Sequence, residues 1–290
     1  MIVGAIIAGI APAVASRMQH GYTVTPDGYY YAAMGRGTNV PRPYRMRVVA
    51  KWLPPTTEAW TLVSTASLVF SVAAVYLLTV HHTNDPMKGF YASALFGALP
   101  YTRRLLVWPV LTDAMAIAGI GLVGIVALYS PILAVAICAA LVVVHERSVV
   151  HAALLHWWIT DTYWAALAIG VLALVVTTYR LNAKDDEFKG HPEWLQHPMR
   201  SALAHHRKVW TNASVWLLPW GACLAWLAAP TLSLAFLFIA SYVPLVVSMD
   251  RVRTYMANPY PFLIASAAVT PPEFWIPLYI LTFSITDGAV

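Results

Sequence analysis

Apolar runs alternate along this chain with short polar breaks, and the lengths of those runs point to its architecture. Residues 59–80 carry no charge over a full bilayer thickness and form the cleanest span. Residues 2–15 are apolar and end at Ser16 and Arg17. That run is short enough for a signal-peptide core, but it lacks a preceding cation and further spans follow. It therefore reads as a short first transmembrane helix. Shorter or interrupted runs lie at 89–99, 105–112, 114–130, 132–144 and 149–160. Fuller ones lie at 162–179, 209–229 and 231–249, and the last at 274–286.

Backbone groups in lipid must be satisfied within their own segment, so these spans should be helices. The alternating pattern of a barrel strand is absent. The pattern predicts an all-α fold, a polytopic integral membrane bundle of about eight to ten transmembrane or half-membrane helices. It forms a single transmembrane domain over 1–290 with polar loops at about 17–58 and 180–208. Orientation turns on 149–160. If that segment crosses, both polar loops, Arg103, Arg104, Glu146, Asp250 and Arg251 can share one side. If it is re-entrant, the 180–208 loop and Asp250 go to the other.

Composition supports a lipid solvent. Of 290 residues 59% are hydrophobic and 11% charged, against roughly 25% charged in soluble domains. The net charge of +5 suits anionic lipid headgroups. Nucleic acid is excluded as a partner, because the chain shows no basic face on a soluble surface. Membrane lipids are the expected partners, and protein partners are left open. Cys138 and Cys223 lie inside apolar runs and read as buried thiols, not as a disulfide.

Candidate chemistry concentrates in a polar island at 26–55. It holds one acid, Asp27, the tyrosines 29–31, and the cations Arg36, Arg42, Arg45, Arg47 and Lys51. Asp27 reads either as a general base at the membrane surface or as a turn residue, since Pro-Asp-Gly is a turn signature. Tyr29, Tyr30 and Tyr31 read as an interfacial aromatic belt or a binding wall. Arg42, Arg45 and Arg47 could clamp a phosphate with paired donors or anchor to headgroups. Arg103 and Arg104 sit between short apolar pieces, where charge is costly unless it meets water or a partner. They read as phosphate ligands or as snorkelling anchors.

Asp113, Glu146 and Asp161 edge apolar runs and are functional candidates, or else helix-terminal charges pairing with neighbours. No metal site is expected. His151 and His156 are five apart and do not share a helical face, and the histidines of the 180–208 loop lack a tight ligand spacing. No nucleophile elbow, phosphate-cradling glycine loop or zinc-protease motif occurs.

Four blocks carry a resemblance. The first is Asp27-Gly-Tyr-Tyr-Tyr-Ala-Ala-Met-Gly35, then Pro41-Arg-Pro-Tyr-Arg-Met-Arg47 and Leu53-Pro54. The others are Pro109-Val-Leu-Thr-Asp113, Val144-His-Glu146, and Asp250-Arg-Val-Arg253 before Pro259-Tyr-Pro261. Their order resembles the GT-C superfamily of polyprenyl-phosphate-dependent membrane glycosyltransferases and its uncharacterised bacterial relatives. The resemblance implies a polyprenyl-phosphate-linked sugar as donor substrate, used at the outer face of a bacterial-type cytoplasmic membrane. It implies Asp27 as catalytic base. Its basic residues near the lipid phosphate map most directly to Arg103 and Arg104, then to Arg45 and Arg47. Asp113, Glu146, Asp250 and Arg251 are further site candidates. The chain is short for the superfamily and has one acid where many members show a pair. The alternative is a non-enzymatic polytopic membrane protein: a lipid or small-solute transporter, or a structural subunit of a membrane complex.

Overall fold

A computed structural model of the chain describes residues 1–40, 44, 47–164, 167, 170–171, 175, 218–228, 230–247 and 258–285. Among these residues every regular element is helical. The α-helices are α1 Ile2–His20, α2 Pro26–Gly35, α3 Thr57–Thr83, α4 Pro86–Ala98, α5 Pro100–Arg104 and α6 Asp113–Ala127. They continue as α7 Pro131–Ala140, α8 Glu146–Thr160, α9 Leu232–Val247, α10 Tyr260–Val269 and α11 Trp275–Ser284. Two of them, α1 and α3, are long and apolar enough to cross a membrane. The run at 162–179 and the residues 209–217 fall mostly or wholly outside the described residues. The described part of 209–229 is a 3₁₀ helix, Leu218–Ala228, not the expected α-helix.

Local sequence explains the boundaries. Thr56 caps α3, its hydroxyl accepting from the Ala59 N–H at 3.3 Å. Asn84 ends it in the left-handed conformation, φ 53°. Asp85 then caps α4 by accepting from the Met87 N–H at 2.8 Å. Prolines open α4, α5 and α7 at Pro86, Pro100 and Pro131, where a missing N–H costs nothing.

Packing fixes the directions. Ser93 on α4 donates to the Val72 carbonyl of α3 at 3.3 Å, while Gly89 lies against Val80 and Tyr76, so α3 and α4 are antiparallel. Gly4 of α1 faces Phe90, and Gly9 faces Ser93 and Gly97, so α1 and α4 run together. Gly121 meets Ala74 and Gly124 meets Leu78, so α3 and α6 are parallel. Cys138 of α7 contacts the Val149 carbonyl at 3.3 Å, and His156 lies 3.1 Å from the Pro131 carbonyl. Hence α8 runs the full length of α7 in the opposite sense. Tyr91 stacks on Trp275 at 5.1 Å, and Arg103 reaches Phe283, so α11 follows α4 and α5.

The tightest crossing is α1 on α4. A Cβ at Gly97 would stand 2.8 Å from the Gly9 carbonyl carbon and 2.9 Å from its Cα. Backbone cannot yield there as a flexible side chain would. Gly97→Val should therefore destabilise the detergent-solubilised protein by about 1–3 kcal/mol or more. A melting temperature equal to wild type would show that the two helices can separate freely.

Candidate functional site

The chain leaving α1 is laid over the chain leaving α5. Arg17 donates through Nη1 to the Leu106 carbonyl at 3.2 Å, and the Thr23 N–H donates to the Val107 carbonyl at 2.9 Å. Helix α2 starts here. Thr25 caps it, accepting from the Gly28 N–H at 3.3 Å, with Pro26 in the first turn. The Pro-Asp-Gly sequence thus opens a helix and does not form a turn. Asp27 sits in the first turn, where the helix dipole favours a carboxylate. Gly28 permits the contact below it: a Cβ there would be 2.9 Å from the Val110 carbonyl oxygen.

This cap has its own apolar cluster: Tyr31, Met34, Val40, Tyr44, Ala50, Trp60, Val110 and Leu111. Tyr44 donates through its hydroxyl to Asp27 Oδ1 at 3.0 Å. Tyr30 stacks on Tyr44 with ring centroids 4.3 Å apart. Tyr31 meets the edge of Tyr44 at 5.9 Å and stacks on Trp60 at 5.9 Å. The Arg47 guanidinium lies 5.6 Å from the Tyr31 ring centroid. For Tyr31 and Arg47 the alternatives of a surface belt and a headgroup anchor are corrected here. Arg47 is 2% exposed and Tyr31 0%, whereas Tyr29 is 64% exposed. An amphipathic cap has folded its aromatics and one cation inward, because rings bury large apolar area.

The cap fills a recess. Ser64 donates to the Pro109 carbonyl at 2.8 Å, so Asp113 starts α6 well below the rim set by Thr57 of α3. Asp113 is 6% exposed, and its Oδ1 lies 4.0 Å from Nε2 of His145, which is 4% exposed. The pair joins the first residue of α6 to the residue before α8. A protonated His145 would form an ion pair across it.

The two neighbouring cations divide. Arg103 donates through Nη1 to the Phe283 carbonyl at 3.1 Å and through Nη2 to the Ile285 carbonyl. Its guanidinium also lies 5.2 Å from the Phe283 ring. It ties down the last turn of α11. Arg104, half-buried, lies 4.8 Å from the centroid of Trp108, a ring packed on the cap cluster. Asp27, Arg47, Arg103, Arg104 and Asp113 therefore gather at one end of the bundle. Glu146 opens α8 at the same end. Arg45, Asp250 and Arg251 lie outside the described residues, as do Arg42 and the 180–208 loop. Asp161, with φ 54°, closes α8 at the far end and is separate from the site.

Sequence reasoning missed Tyr44 as the partner of Asp27, Trp60 as the floor of the cap, and His145 as the partner of Asp113. Only His145 carried a signal, standing beside Glu146 at a helix boundary. His151 and His156 are both buried, and Asn258 donates to the His151 carbonyl at 3.0 Å. Among the described residues no three His, Cys, Asp or Glu side chains come together as a metal site would need. No protein-family model, no curated protein and no solved structure matches this chain.

Because Arg103 grips backbone carbonyls, its removal should act on structure. Arg103→Ala should cost about 1.5–3 kcal/mol of stability and speed hydrogen exchange in the last turn of α11. Unchanged exchange at 282–285 would refute the tether.

Proposed function

We propose that the chain is a polytopic integral membrane protein whose cap end catalyses glycosyl transfer from a polyprenyl-phosphate-linked sugar. The membrane reading is supported by α1 and α3 and by the low share of charge. It is supported too by exposed apolar side chains around the bundle, among them Leu62, Ile132, Leu232, Ile276 and Ile280. Such a surface is a liability in water and ordinary in lipid. Helices α6 and α8 have 15 residues each, a rise of about 22 Å against a hydrocarbon core of about 30 Å. Their polar starts would sit below the lipid surface, in the recess roofed by α2.

The observation that carries the enzyme reading is Asp27, held by the hydroxyl of Tyr44, whose ring stacks on Tyr30 and meets Tyr31. A carboxylate oriented by a phenol of an aromatic cluster suits a base acting on a sugar or flat acceptor. Asp27 would take the proton of the acceptor hydroxyl. The acceptor oxygen would bond to the anomeric carbon, and the carbon–oxygen bond to phosphate would break, its electron pair leaving on the phosphate. Arg47 and Arg104 would place positive charge where the phosphate departs, and fixed charge of that kind is the strongest aid such a site can give the reaction.

A second reading, a small-solute transporter, is supported by the buried polar residues His151, His156 and Asn258 between the two ends. Transfer from radiolabelled polyprenyl-phosphate sugars by the purified, membrane-reconstituted protein separates the two. Asp27→Asn should lower that transfer by about 10²–10⁴-fold with an unchanged melting temperature. Undiminished transfer in the variant would remove Asp27 from the mechanism, and absence of transfer in wild type would remove the enzyme reading.

A further inference from the structure

Lysine and arginine are shared unequally between the two ends of the bundle. Arg17, Arg36, Arg47, Lys51, Arg103 and Arg104 lie at the cap end, and Arg147 stands in the first turn of α8 there. The segment joining α1 to α3 leaves and returns at this end, and its sequence adds Arg42 and Arg45. At the far end α4 and α11 start and α3, α6 and α8 finish. Among the described residues that end holds one such cation, Lys88, with the acids Asp85, Asp161 and Glu273. The other eight of the eighteen Lys and Arg lie at 180–208, 251 and 253. Were every one of them at the far end, the two ends would only be level.

The exposed side of the cap has a matching chemistry. Tyr22, Tyr29 and Trp52 are 55%, 64% and 70% exposed. Arg36 and Lys51 are exposed beside them in sequence, and the Arg17 guanidinium lies 4.7 Å from the Tyr22 ring centroid. Tyrosine and tryptophan rings mixed with cations belong at the level of lipid headgroups, where a ring meets acyl chains on one side and water on the other. Moving such a loop across a bilayer carries its cations away from the anionic cytoplasmic leaflet and against the membrane potential. Short loops rich in Lys and Arg therefore stay in the cytoplasm.

We infer that the cap end faces the cytoplasm and that its outer surface rests among the anionic phospholipid headgroups of the inner leaflet. The inference rests on the membrane part of the reading above. Sequence alone left orientation open. The fold brings Arg103, Arg104 and Arg147 to the same end as the 17–58 loop, and that tips the balance. The result opposes the outer face that the resemblance implies: a lipid-linked donor reaching Asp27 would be drawn from the cytoplasmic leaflet.

The experiment labels single cysteines in the full chain, expressed in a bacterial inner membrane, with a membrane-impermeant maleimide. Thr38→Cys and Tyr29→Cys report the cap end, and Met87→Cys and Tyr129→Cys the far end; all four positions are exposed. Cys138 and Cys223 are fully buried, so wild type sets the background. The cap cysteines should react in inverted vesicles and not in spheroplasts, and the far cysteines the reverse. The opposite pattern, or both ends reacting from both sides, would overturn the orientation. An environment-sensitive dye on Thr38→Cys in nanodiscs should emit further to the blue with phosphatidylglycerol than with phosphatidylcholine, and high salt should remove the difference. Equal emission in the two lipids would overturn the headgroup contact. Release of wild type from membranes by alkaline carbonate would sink the membrane reading itself, and this inference with it. Absence of sugar transfer beside the expected labelling would sink the glycosyltransferase reading alone.

Discussion

The close crossing of α1 and α4 at Gly9 and Gly97 governs the rest. Two glycine backbones in contact clamp these helices side by side and parallel, so their last turns leave the bundle together. The chain beyond α1 then falls on the chain beyond α5, where Arg17 and Thr23 find the Leu106 and Val107 carbonyls. Those carbonyls belong to an irregular stretch and need donors, because unsatisfied backbone groups are costly away from water. The cap helix is the next segment in line. Its position over α6 and α3 follows from a contact between glycines two to three turns deeper in the bundle. In lipid such small-residue contacts are a main source of helix association, since apolar surface gains nothing by leaving an equally apolar solvent.

The same clamp decides which charges are available for chemistry. Arg103 and Arg104 are adjacent, and at the level of sequence they are interchangeable. Adjacent helical positions point in different directions, however, and only Arg103 faces the end of α11. The frayed carbonyls at Phe283 and Ile285 carry the negative end of that helix dipole, so one cation caps a helix while the other stacks on Trp108 beside the cap. Lys88 repeats the device at the far end, donating to the Ala268 carbonyl at the end of α10 at 2.8 Å. A basic residue beside a short apolar run is thus as readily a helix cap from another element as a ligand for an anion.

What the sequence disclosed follows from which interactions are local. The helical class, the breaks at Pro100 and Pro131, and the isolation of the 26–55 island are written in neighbouring residues, so reading along the chain found them, whereas the helices either side of Asn84 run past the expected limits at 80 and 89. The inward turn of the island was not legible. Tyr31 and Tyr29 are two apart in one tyrosine run, yet one is buried and the other exposed. That choice is made by Trp60 and Val110, which lie 29 and 79 positions beyond Tyr31. The Asp27–Tyr44 and Asp113–His145 pairs are equally non-local, and no spacing rule joins them. Placing α8 antiparallel to α7 likewise needed the contacts of Cys138 with Val149 and of His156 with Pro131.

In the membrane reading proposed above, the lengths of the helices tie the site to its solvent. A helix as long as α3 can carry its polar ends clear of a bilayer, but α6 and α8 are too short to do so at both ends. Asp113 therefore begins its helix beneath the rim, where an ionised side chain facing lipid would be costly. Three features of the recess answer that problem: the position at the positive end of the α6 dipole, the neighbouring His145, and a roof of aromatic side chains that keeps lipid away.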